Sequence, residues 1–344
     1  MDCGAKIYVS GHNGLVGSAI VRCLLRHGYN NLILKTHKEL DLISQAQVQD
    51  FFTEFQPDYV FHAAGLVGGI LANSSFPAQY IYDNLMIATN VIHSAYQNHT
   101  RKLLFFGSSS IYPRASLQPI KEEYLLTGEL EQTNEAYALA KIAGLKMGQF
   151  YRKQYGCDFI TCLPTNLYGP NDHYHPENSH VLPALIRKLH LANCWQKEQL
   201  DAVAKDLGRE YKVESEEGLK HILAGFGISK IKGKVVLTLW GSGAPFREFM
   251  FVDDLAEAVL FLMDNYSASQ PVNIGTGLDA SIKDMAYLIK EIVGFTGEIQ
   301  WDISKPDGIP KKQLDVSLLT SLGFSAPTKL REGIIATYED YLSR

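Results

Sequence analysis

Apolar positions in the first half of the chain follow two repeats, one typical of buried strands and one typical of amphipathic helices. Continuous apolar runs bounded by turn residues predict strands, and apolar residues three and four apart predict helices. Because short strands that alternate with helices form parallel sheets, the pattern predicts an α/β fold with a doubly wound parallel sheet. The predicted strands cover residues 6–10, 31–35, 58–64, 103–107 and 159–163, and the predicted helices 15–27, 80–98 and 136–155.

The pattern loosens after Pro164, where longer loops separate the predicted elements. We expect residues 1–170 to form the sheet domain, with some later segments returning to it, and residues 171–344 to form mainly a smaller C-terminal domain that closes over a substrate. Residues 193–234 are rich in charge and are predicted to be a surface insertion with helices at 196–207 and 216–224. The other predicted elements are helices at 181–191, 252–265, 282–293 and 329–341 and strands at 235–239 and 272–274.

Composition indicates a globular protein and excludes several classes of partner. Of the 344 residues, 46% are hydrophobic, which is enough for a full core. The formal net charge of −5, without a long Lys/Arg run, argues against nucleic acids and anionic membranes as partners. No apolar run reaches the roughly 18 residues that span a bilayer, so we predict a cytoplasmic location.

The cysteines and histidines give no sign of a metal centre. The five cysteines are odd in number and lack paired Cys/His spacing, which predicts reduced thiols. His173 and His175 lie close together in the sequence, but no matching set of ligands accompanies them. We therefore predict no metal.

A glycine turn follows the first predicted strand and opens the first helix. Gly11, Gly14 and Gly17 place bare backbone where a pyrophosphate approaches, and the N-terminal amides of the helix face the anion. Such a pattern alone is weak, since glycines mark many ordinary turns, but its place between strand and helix predicts a dinucleotide site.

The end of the second predicted strand indicates which dinucleotide is bound. An enzyme that prefers NAD presents Asp or Glu to the ribose 2′-hydroxyl, whereas this chain has the basic run Lys35-Thr36-His37-Lys38. A 2′-phosphate would be attracted to that run, so NADPH is predicted, although two lysines can also simply solvate a loop. Asp41 and Leu42 are candidates to line the adenine pocket.

Tyr137 and Lys141 are the candidate catalytic pair. Their four-residue spacing places both on one helix face, where the ammonium is expected to lower the phenol pKa and to hold the nicotinamide ribose. Ser108 follows a predicted sheet strand and can donate to the same carbonyl oxygen as Tyr137. Each residue has an ordinary structural explanation when taken singly. Together they predict transfer of a hydride from a nicotinamide to a ketone.

These residues lie within longer strings that resemble the GDP-L-fucose synthase branch of the extended short-chain dehydrogenase/reductases, a family with a Rossmann fold. The resemblance covers nearly everything outside residues 193–234. Its strings are GHNGLVG at 11–17, VGGI at 67–70, GSSSIYP at 107–113, YALAK at 137–141, PTNLYGP at 164–170, NSHVLPAL at 178–185, WGSG at 240–243, REF at 247–249 and KPDG at 305–308.

The resemblance implies an NADPH-dependent reductase of a GDP-4-keto-6-deoxy sugar, and it implies roles for residues at the matching positions. The implied catalytic residues are Ser108, Tyr137, Lys141, His180 and Ser110. The implied cofactor site comprises Gly11, Asn13, Gly14, Leu15, Val16, Gly17, His37, Lys38, Asp41, Leu42, Ala63, Ala64, Gly65, Gly107, Lys141, Pro164, Asn166, Leu167 and His180. The implied substrate site comprises Ser108, Ser109, Asn166, Arg187, Trp240, Arg247 and Asp307.

Three departures from the family pattern change these expectations. Ser110 stands where the family has a cysteine that exchanges protons beside the ketone together with a histidine; because an unassisted alkanol is a much weaker base than a thiol, we expect 3,5-epimerisation to be slow or absent. Asn13 and His37 replace arginines, which leaves fewer charges for a 2′-phosphate. Residues 193–234 can reshape the rim of the substrate site, so a heptose is an alternative substrate.

The sequence also allows two other functions. A sugar-nucleotide dehydratase or 4-epimerase on the same fold is one, but Ser109 and Ser110 replace the Asp-Glu pair of such dehydratases. A non-enzymatic nucleotide-binding protein would not need the intact Tyr137 and Lys141. The resemblance also implies a homodimer paired through helices 80–98 and 136–155, whose apolar faces core burial explains equally well.

Overall fold

The computed structural model is built on a six-stranded parallel sheet in the order β10-β5-β4-β3-β1-β2. It describes residues 1–175, 179–213 and 215–344, so Asn178 of the 178–185 string and Glu214 of the predicted insertion lie outside the described residues. The strands are β1 (Ile7–Ser10), β2 (Leu32–Ile33), β3 (Tyr59–His62), β4 (Lys102–Phe106), β5 (Asp158–Pro164), β6 (Asn166–Tyr168), β7 (Ile228–Ile231), β8 (Lys234–Trp240), β9 (Phe246–Phe251), β10 (Val272–Ile274), β11 (Asp279–Ser281), β12 (Glu298–Asp302) and β13 (Lys311–Lys312).

Helices cover both faces of this sheet, and apolar residues of the helices form a core on each side. On one side α1 and α9 pack over the strands, and on the other α2, α4 and α5. The helices are α1 (Leu15–Arg26), α2 (Gln45–Phe55), α3 (Ile70–Ser75), α4 (Pro77–Gln97), α5 (Glu135–Tyr155), α6 (Val181–Gln196), α7 (Leu200–Leu207), α8 (Glu216–Gly225), α9 (Val252–Asn265), α10 (Ile282–Val293), α11 (Ser317–Ser321) and α12 (Leu330–Leu342), with short 3-10 turns at Ser109–Ile111, Glu122–Tyr124 and Gln132–Asn134.

The strand order reverses between β1 and β3, which places a crevice at their carboxyl ends. β1 pairs with β2 on one side and with β3 on the other, and all three run parallel. In open parallel sheets, ligands bind at such a reversal. The glycine turn follows β1 directly and Ala63 follows β3, so the first cofactor residues predicted from the sequence lie at this crevice.

Two smaller sheets build the rest of the molecule. β9 pairs with β6, β11 and β13, and β8 pairs with β7 and β12. The second of these sheets packs with α6, α7, α8, α10 and α12 around a third apolar core. β10 and α9, although late in the sequence, return to the six-stranded sheet and its covering layer.

The prediction that residues 193–234 form a surface excursion is wrong. Val203, Leu207 and Leu223 are fully buried in the third core, together with Leu237 of β8. Most charged residues of this segment lie on the outer faces of short helices, with the buried Asp206 as an exception, while apolar residues at helical spacing point inward. The segment is therefore part of the C-terminal core. No helix among the described residues is long and apolar enough to cross a membrane.

Candidate active site

The glycine turn packs so tightly that side chains are excluded from it. A Cβ on Gly17 would lie 2.2 Å from the carbonyl oxygen of Gly11, and a Cβ on Gly11, whose φ is 71°, would lie 3.0 Å from Ala64. Gly14 is the N-cap of α1, and no acidic residue occupies the first turn of that helix. Leu15 and Val16 follow in this turn, so free N–H groups at the helix N-terminus face the crevice without a competing carboxylate.

Small residues also follow β3 and β4, at the carboxyl edge of the sheet. The Ala64 N–H donates to Ser10 Oγ at 3.1 Å, which ties the end of β3 to the end of β1. A Cβ on Gly65 would lie 2.9 Å from Asn84 Oδ1 and 3.4 Å from Lys141 Nζ, so this glycine lies against the candidate catalytic lysine. Gly107, after β4, has no room for a Cβ, which would lie 2.4 Å from Leu163.

The basic run after β2 is only partly available to a ligand. Lys35 stacks its ammonium 4.9 Å from the centroid of the Phe55 ring. His37 and Lys38 are exposed, and His37 lies 3.9 Å from the carboxylate of Asp41. Leu42 is buried, and the exposed Asn13 has its carbonyl held by Asn171 at 2.7 Å. Two exposed basic side chains thus remain near the predicted 2′-phosphate position.

Tyr137 and Lys141 lie one turn apart on α5, as predicted. Lys141 is buried, lies 5.9 Å from the centroid of the Tyr137 ring and donates to the Phe106 carbonyl at 2.9 Å. An ammonium has three N–H donors, so two remain for a ligand. Loss of hydration lowers the pKa of Lys141 to about 8.

The expectation that Lys141 lowers the phenol pKa is wrong. Burial raises the pKa of Tyr137 to about 12, a hydrogen bond with Ser108 acts in the opposite direction, and Tyr80 adds to the rise. The spacing on the helix is as expected, but desolvation is the largest influence on the phenol pKa, and Lys141 is not among its causes. The shift favours the protonated form of Tyr137.

Ser108 begins a 3-10 turn that brings three serines together. Its hydroxyl accepts from the Ser110 N–H at 3.1 Å, and the buried Ser109 lies between them. Ser110 is half-buried, and its hydroxyl contacts the Nζ of Lys312 at 3.5 Å. Lys312 was not identified from the sequence, because a two-residue strand gives no periodic signal.

The remaining predicted cofactor residues follow β5 or begin α6. Pro164 ends β5, Asn166 and Leu167 lie in β6, and Asn166 Nδ2 donates to the Glu248 carbonyl at 2.9 Å. His180 is the N-cap residue of α6. Loss of hydration, with a smaller contribution from His173, lowers the pKa of His180, so a neutral imidazole is favoured.

Arg187 does not face a ligand, which corrects the prediction that it holds the GDP-sugar. It is 2% exposed, and its guanidinium donates to Asp206 at 2.9 Å and to Glu210 at 2.6 Å. Both carboxylates belong to the segment that was predicted to be an insertion. Arg187 therefore fixes α7 to α6.

Lys188, the next residue, is the better candidate for substrate contact. His180, Ala184 and Lys188 follow at four-residue intervals and so lie on the same side of α6. Burial lowers the pKa of Lys188, and the described residues supply no salt bridge to it. The helical spacing from His180 could have identified it from the sequence.

The three remaining predicted substrate residues are Trp240, Arg247 and Asp307. They lie at or next to two loops that are joined by a contact between Ser242 and Asp307. Trp240 is 75% exposed with Lys305 Nζ 5.4 Å from its ring centroid. Arg247 is half-buried and donates to the Ile309 carbonyl at 2.6 Å, with no salt bridge to a carboxylate in the described part of the chain. Asp307 accepts from the backbone and hydroxyl of Ser242 at 2.9 and 2.6 Å, so it joins the two loops.

One cluster among the described residues has metal-ligand geometry, namely Cys23, His27 and Glu257. Glu257 already accepts from Arg26 and His27, each at 2.9 Å. Burial raises the pKa of Cys23 to about 12, which disfavours the thiolate that a metal requires.

Sequence and structure comparisons agree with this geometry. Residues 7–203 and 208–275 match the profile of the NAD dependent epimerase/dehydratase family. The chain belongs to this family. It is 51% identical to GDP-L-fucose synthase 1 of Arabidopsis thaliana over 341 residues, which cover 99% of this chain and 94% of the relative. The predicted resemblance to the GDP-L-fucose synthase branch is confirmed.

Solved structures extend the comparison to heptose reductases. A GDP-6-OMe-4-keto-L-xylo-heptose reductase from C. jejuni is 41% identical, with a TM-score of 0.93 over 100% of this chain and 99% of that one. The GDP-mannoheptose C4 reductase from Campylobacter jejuni with NADP bound is also 41% identical, with a TM-score of 0.87 and 99% of each chain covered. The predicted doubly wound α/β fold is confirmed.

Proposed function

We propose that the protein is an NADPH-dependent oxidoreductase that reduces the 4-keto group of a GDP-4-keto-6-deoxy sugar. The observation that carries the proposal is the convergence of Ser108, Tyr137 and Lys141 beside the crevice at the carboxyl ends of β1 and β3. The free N–H groups of α1 support binding of a pyrophosphate, and the exposed His37 and Lys38 support a 2′-phosphate.

The protonation states of the side chains suit a reduction. When bound, the reduced nicotinamide supplies the hydride that reaches the ketone carbon. Ser108 donates a hydrogen bond to the ketone oxygen, and Tyr137 gives its proton to that oxygen as negative charge develops. A phenol with a pKa of about 12 is still a stronger acid than an aliphatic alcohol, so the transfer is favourable. Lys141 uses its two remaining N–H donors to hold the cofactor ribose.

Several side chains are candidates to hold the nucleotide sugar. We assign Arg247 to the diphosphate, because its guanidinium has no salt bridge with a described carboxylate, and Trp240 to the face of a ring. Lys188 replaces Arg187 as the basic residue from α6. Ser109 and Asn166 border the sugar, and Asp307 holds the Trp240 loop in place.

A reductase that acts on a heptose without epimerising it is the second candidate. Two observations favour it, namely Ser110 in place of the family cysteine and the similarity to the two Campylobacter heptose reductases. Offering hexose and heptose ketones side by side distinguishes the candidates.

Assembly and location belong to the same proposal. α4 and α5 pack against each other and expose large apolar side chains, among them Tyr82, Leu139 and Phe150, at 58%, 42% and 62%. We propose that these helices pair with those of a second copy in a homodimer.

A cytoplasmic location is supported by five cysteines that are all free thiols.

Replacing Tyr137 by phenylalanine tests the proposed reduction. Loss of the phenol proton should lower the rate of NADPH oxidation by the keto sugar about a hundredfold or more, with dinucleotide affinity nearly unchanged. Absorbance of the reduced nicotinamide gives the rate, and fluorescence titration gives the affinity. Tyr287→Phe, which deletes the hydroxyl of an exposed tyrosine on α10, is the matched control. Wild-type protein that oxidises no NADPH with either ketone would refute the proposal.

A further inference from the structure

The side-chain amine of Lys312, a residue distant in the sequence, lies beside the turn that carries Ser108. Lys312 Nζ lies 3.5 Å from Ser110 Oγ, and the Ser110 N–H donates to Ser108 Oγ at 3.1 Å. Two hydroxyls and one amine therefore meet at a single turn. Lys312 belongs to β13 and stands opposite Arg247 of β9 in the parallel register.

The surroundings of Lys312 differ from those of its neighbour. Lys311 is exposed and pairs with Asp279 at 3.0 Å. Lys312 is half-buried and makes no salt bridge within the described part of the chain. Burial and the charge of Arg247 lower its pKa to about 8, while Glu131 acts in the opposite direction. About a tenth of such an amine is neutral at pH 7 and able to accept a proton.

This contact changes the chemistry expected of Ser110. Without a neighbouring base, the serine hydroxyl is an unassisted alkanol and therefore a poor base. An adjacent neutral amine can remove the hydroxyl proton, which is the way that serine nucleophiles are activated by lysine. The assistance comes from a residue 202 positions away and cannot be read from the local string.

We propose that Ser110 and Lys312 form an acid–base pair that exchanges the proton on the carbon beside the substrate ketone. The proposal rests on the proposed function, because it needs a keto sugar in the site. Nothing in the exchange is oxidised or reduced, so it does not require the hydride.

The step balances within the site. Ser110 Oγ takes the proton from the carbon while its own proton passes to Lys312. The electron pair of the broken C–H bond forms an enolate, and the charge moves to the ketone oxygen, where Ser108 and Tyr137 donate hydrogen bonds. Lys312 exchanges its proton with solvent, and the reverse transfer restores the ketone with a solvent hydrogen on the carbon.

Deuterium exchange tests the pair without reduction. Protein saturated with NADP⁺ is mixed with GDP-4-keto-6-deoxymannose in deuterated water, and label in the sugar is followed by mass spectrometry. We expect wild-type protein to introduce label at a rate that rises with pH through about 8. Lys312→Met and Lys312→Arg should each exchange about a hundredfold more slowly, because arginine keeps the charge but stays protonated. Lys311→Met, which removes the exposed neighbour, should match wild type.

Two results would overturn the inference: no label with wild-type protein, or wild-type exchange in Lys312→Arg, which would leave the lysine only an electrostatic role. Melting curves identify variants that fail to fold, and Ser110→Ala, which should also lose exchange, carries the test if Lys312→Met does not fold. NADPH oxidation is measured in parallel. NADPH oxidation without label would support the reductase activity and refute the Ser110–Lys312 acid–base pair. Label without NADPH oxidation would support the pair and refute the reductase activity.

Discussion

Replacing Arg187 by methionine distinguishes a structural from a substrate-binding role for this arginine. In the structure, its side chain is 2% exposed and donates to two carboxylates, Asp206 at 2.9 Å and Glu210 at 2.6 Å. Asp206 is itself buried and also accepts from the Tyr341 hydroxyl at 2.6 Å. Methionine fills a similar volume but removes the shorter of the two ion pairs that the described residues give the buried Asp206, which keeps only Arg209 at 3.5 Å.

The expected loss of stability is large. Removing one partner of a buried ion pair costs about 3–5 kcal/mol, because the remaining charge stays desolvated. The matched control is Arg331→Met, which removes an arginine from a pair of similar length, 2.7 Å to Glu291, whose side chains are 49% and 67% exposed. An exposed pair contributes at most about 1 kcal/mol, so the control should unfold close to wild type.

Urea unfolding followed by tryptophan fluorescence measures both variants, since Trp195 is buried in the same core as α7. Lys188→Met completes the design: we expect it to raise KM for the nucleotide sugar and to leave the free energy of unfolding within about 1 kcal/mol of wild type. If Arg187→Met unfolds at the wild-type urea concentration while its KM for the nucleotide sugar rises, Arg187 binds substrate and its structural role is refuted.

Two further predictions concern the glycine turn and the loop after β6. Gly17→Ala places a Cβ 2.2 Å from the Gly11 carbonyl, so dinucleotide affinity should fall at least about tenfold by fluorescence titration, whereas Gly225→Ala, with no atom within 4 Å, should bind normally. Burial raises the pKa of Asp172 to about 7, so the folded protein binds a proton that the unfolded chain lacks between about pH 4 and 7, and stability falls as pH rises through that window. Asp172→Asn should therefore be more stable than wild type at pH 8, by up to about 4 kcal/mol in thermal or urea unfolding, and no more stable below pH 4.

The sequence predicted those elements whose signals are local. The helices at 252–265 and 282–293 and the strand at 272–274 have the predicted bounds, because amphipathic periodicity and flanking turn residues define their ends. The helix predicted to start at Gln196 does not start there. α6 runs through Gln196, and the chain reverses at Glu198, a non-glycine residue with a φ of 59°. β2 is shorter than predicted because it pairs only with β1, at the edge of the sheet.

Partners that are distant in the sequence explain most errors in the site. Arg187 was assigned to substrate by its position in a string, but its charge is neutralised by Asp206 and Glu210, which no local pattern connects to it. The pairing of β13 with β9 brings Lys312 to Ser110. A strand of two residues has no sequence pattern from which that pairing could be predicted. The glycine turn and the Tyr137–Lys141 pair were predictable because each is complete within a few residues.

The direction of the Tyr137 pKa shift bears on which reaction the site performs. Burial raises the phenol pKa to about 12 and lowers that of Lys141 to about 8, so the same desolvation favours the neutral form of both groups. A dehydratase or 4-epimerase begins by oxidising an alcohol, so its tyrosine must first accept a proton. A ketone reductase needs the protonated phenol, which is the populated form. The protonated tyrosine is the form that a ketone reductase uses, and Ser109 and Ser110, where such dehydratases carry an Asp-Glu pair, distinguish this chain from a dehydratase.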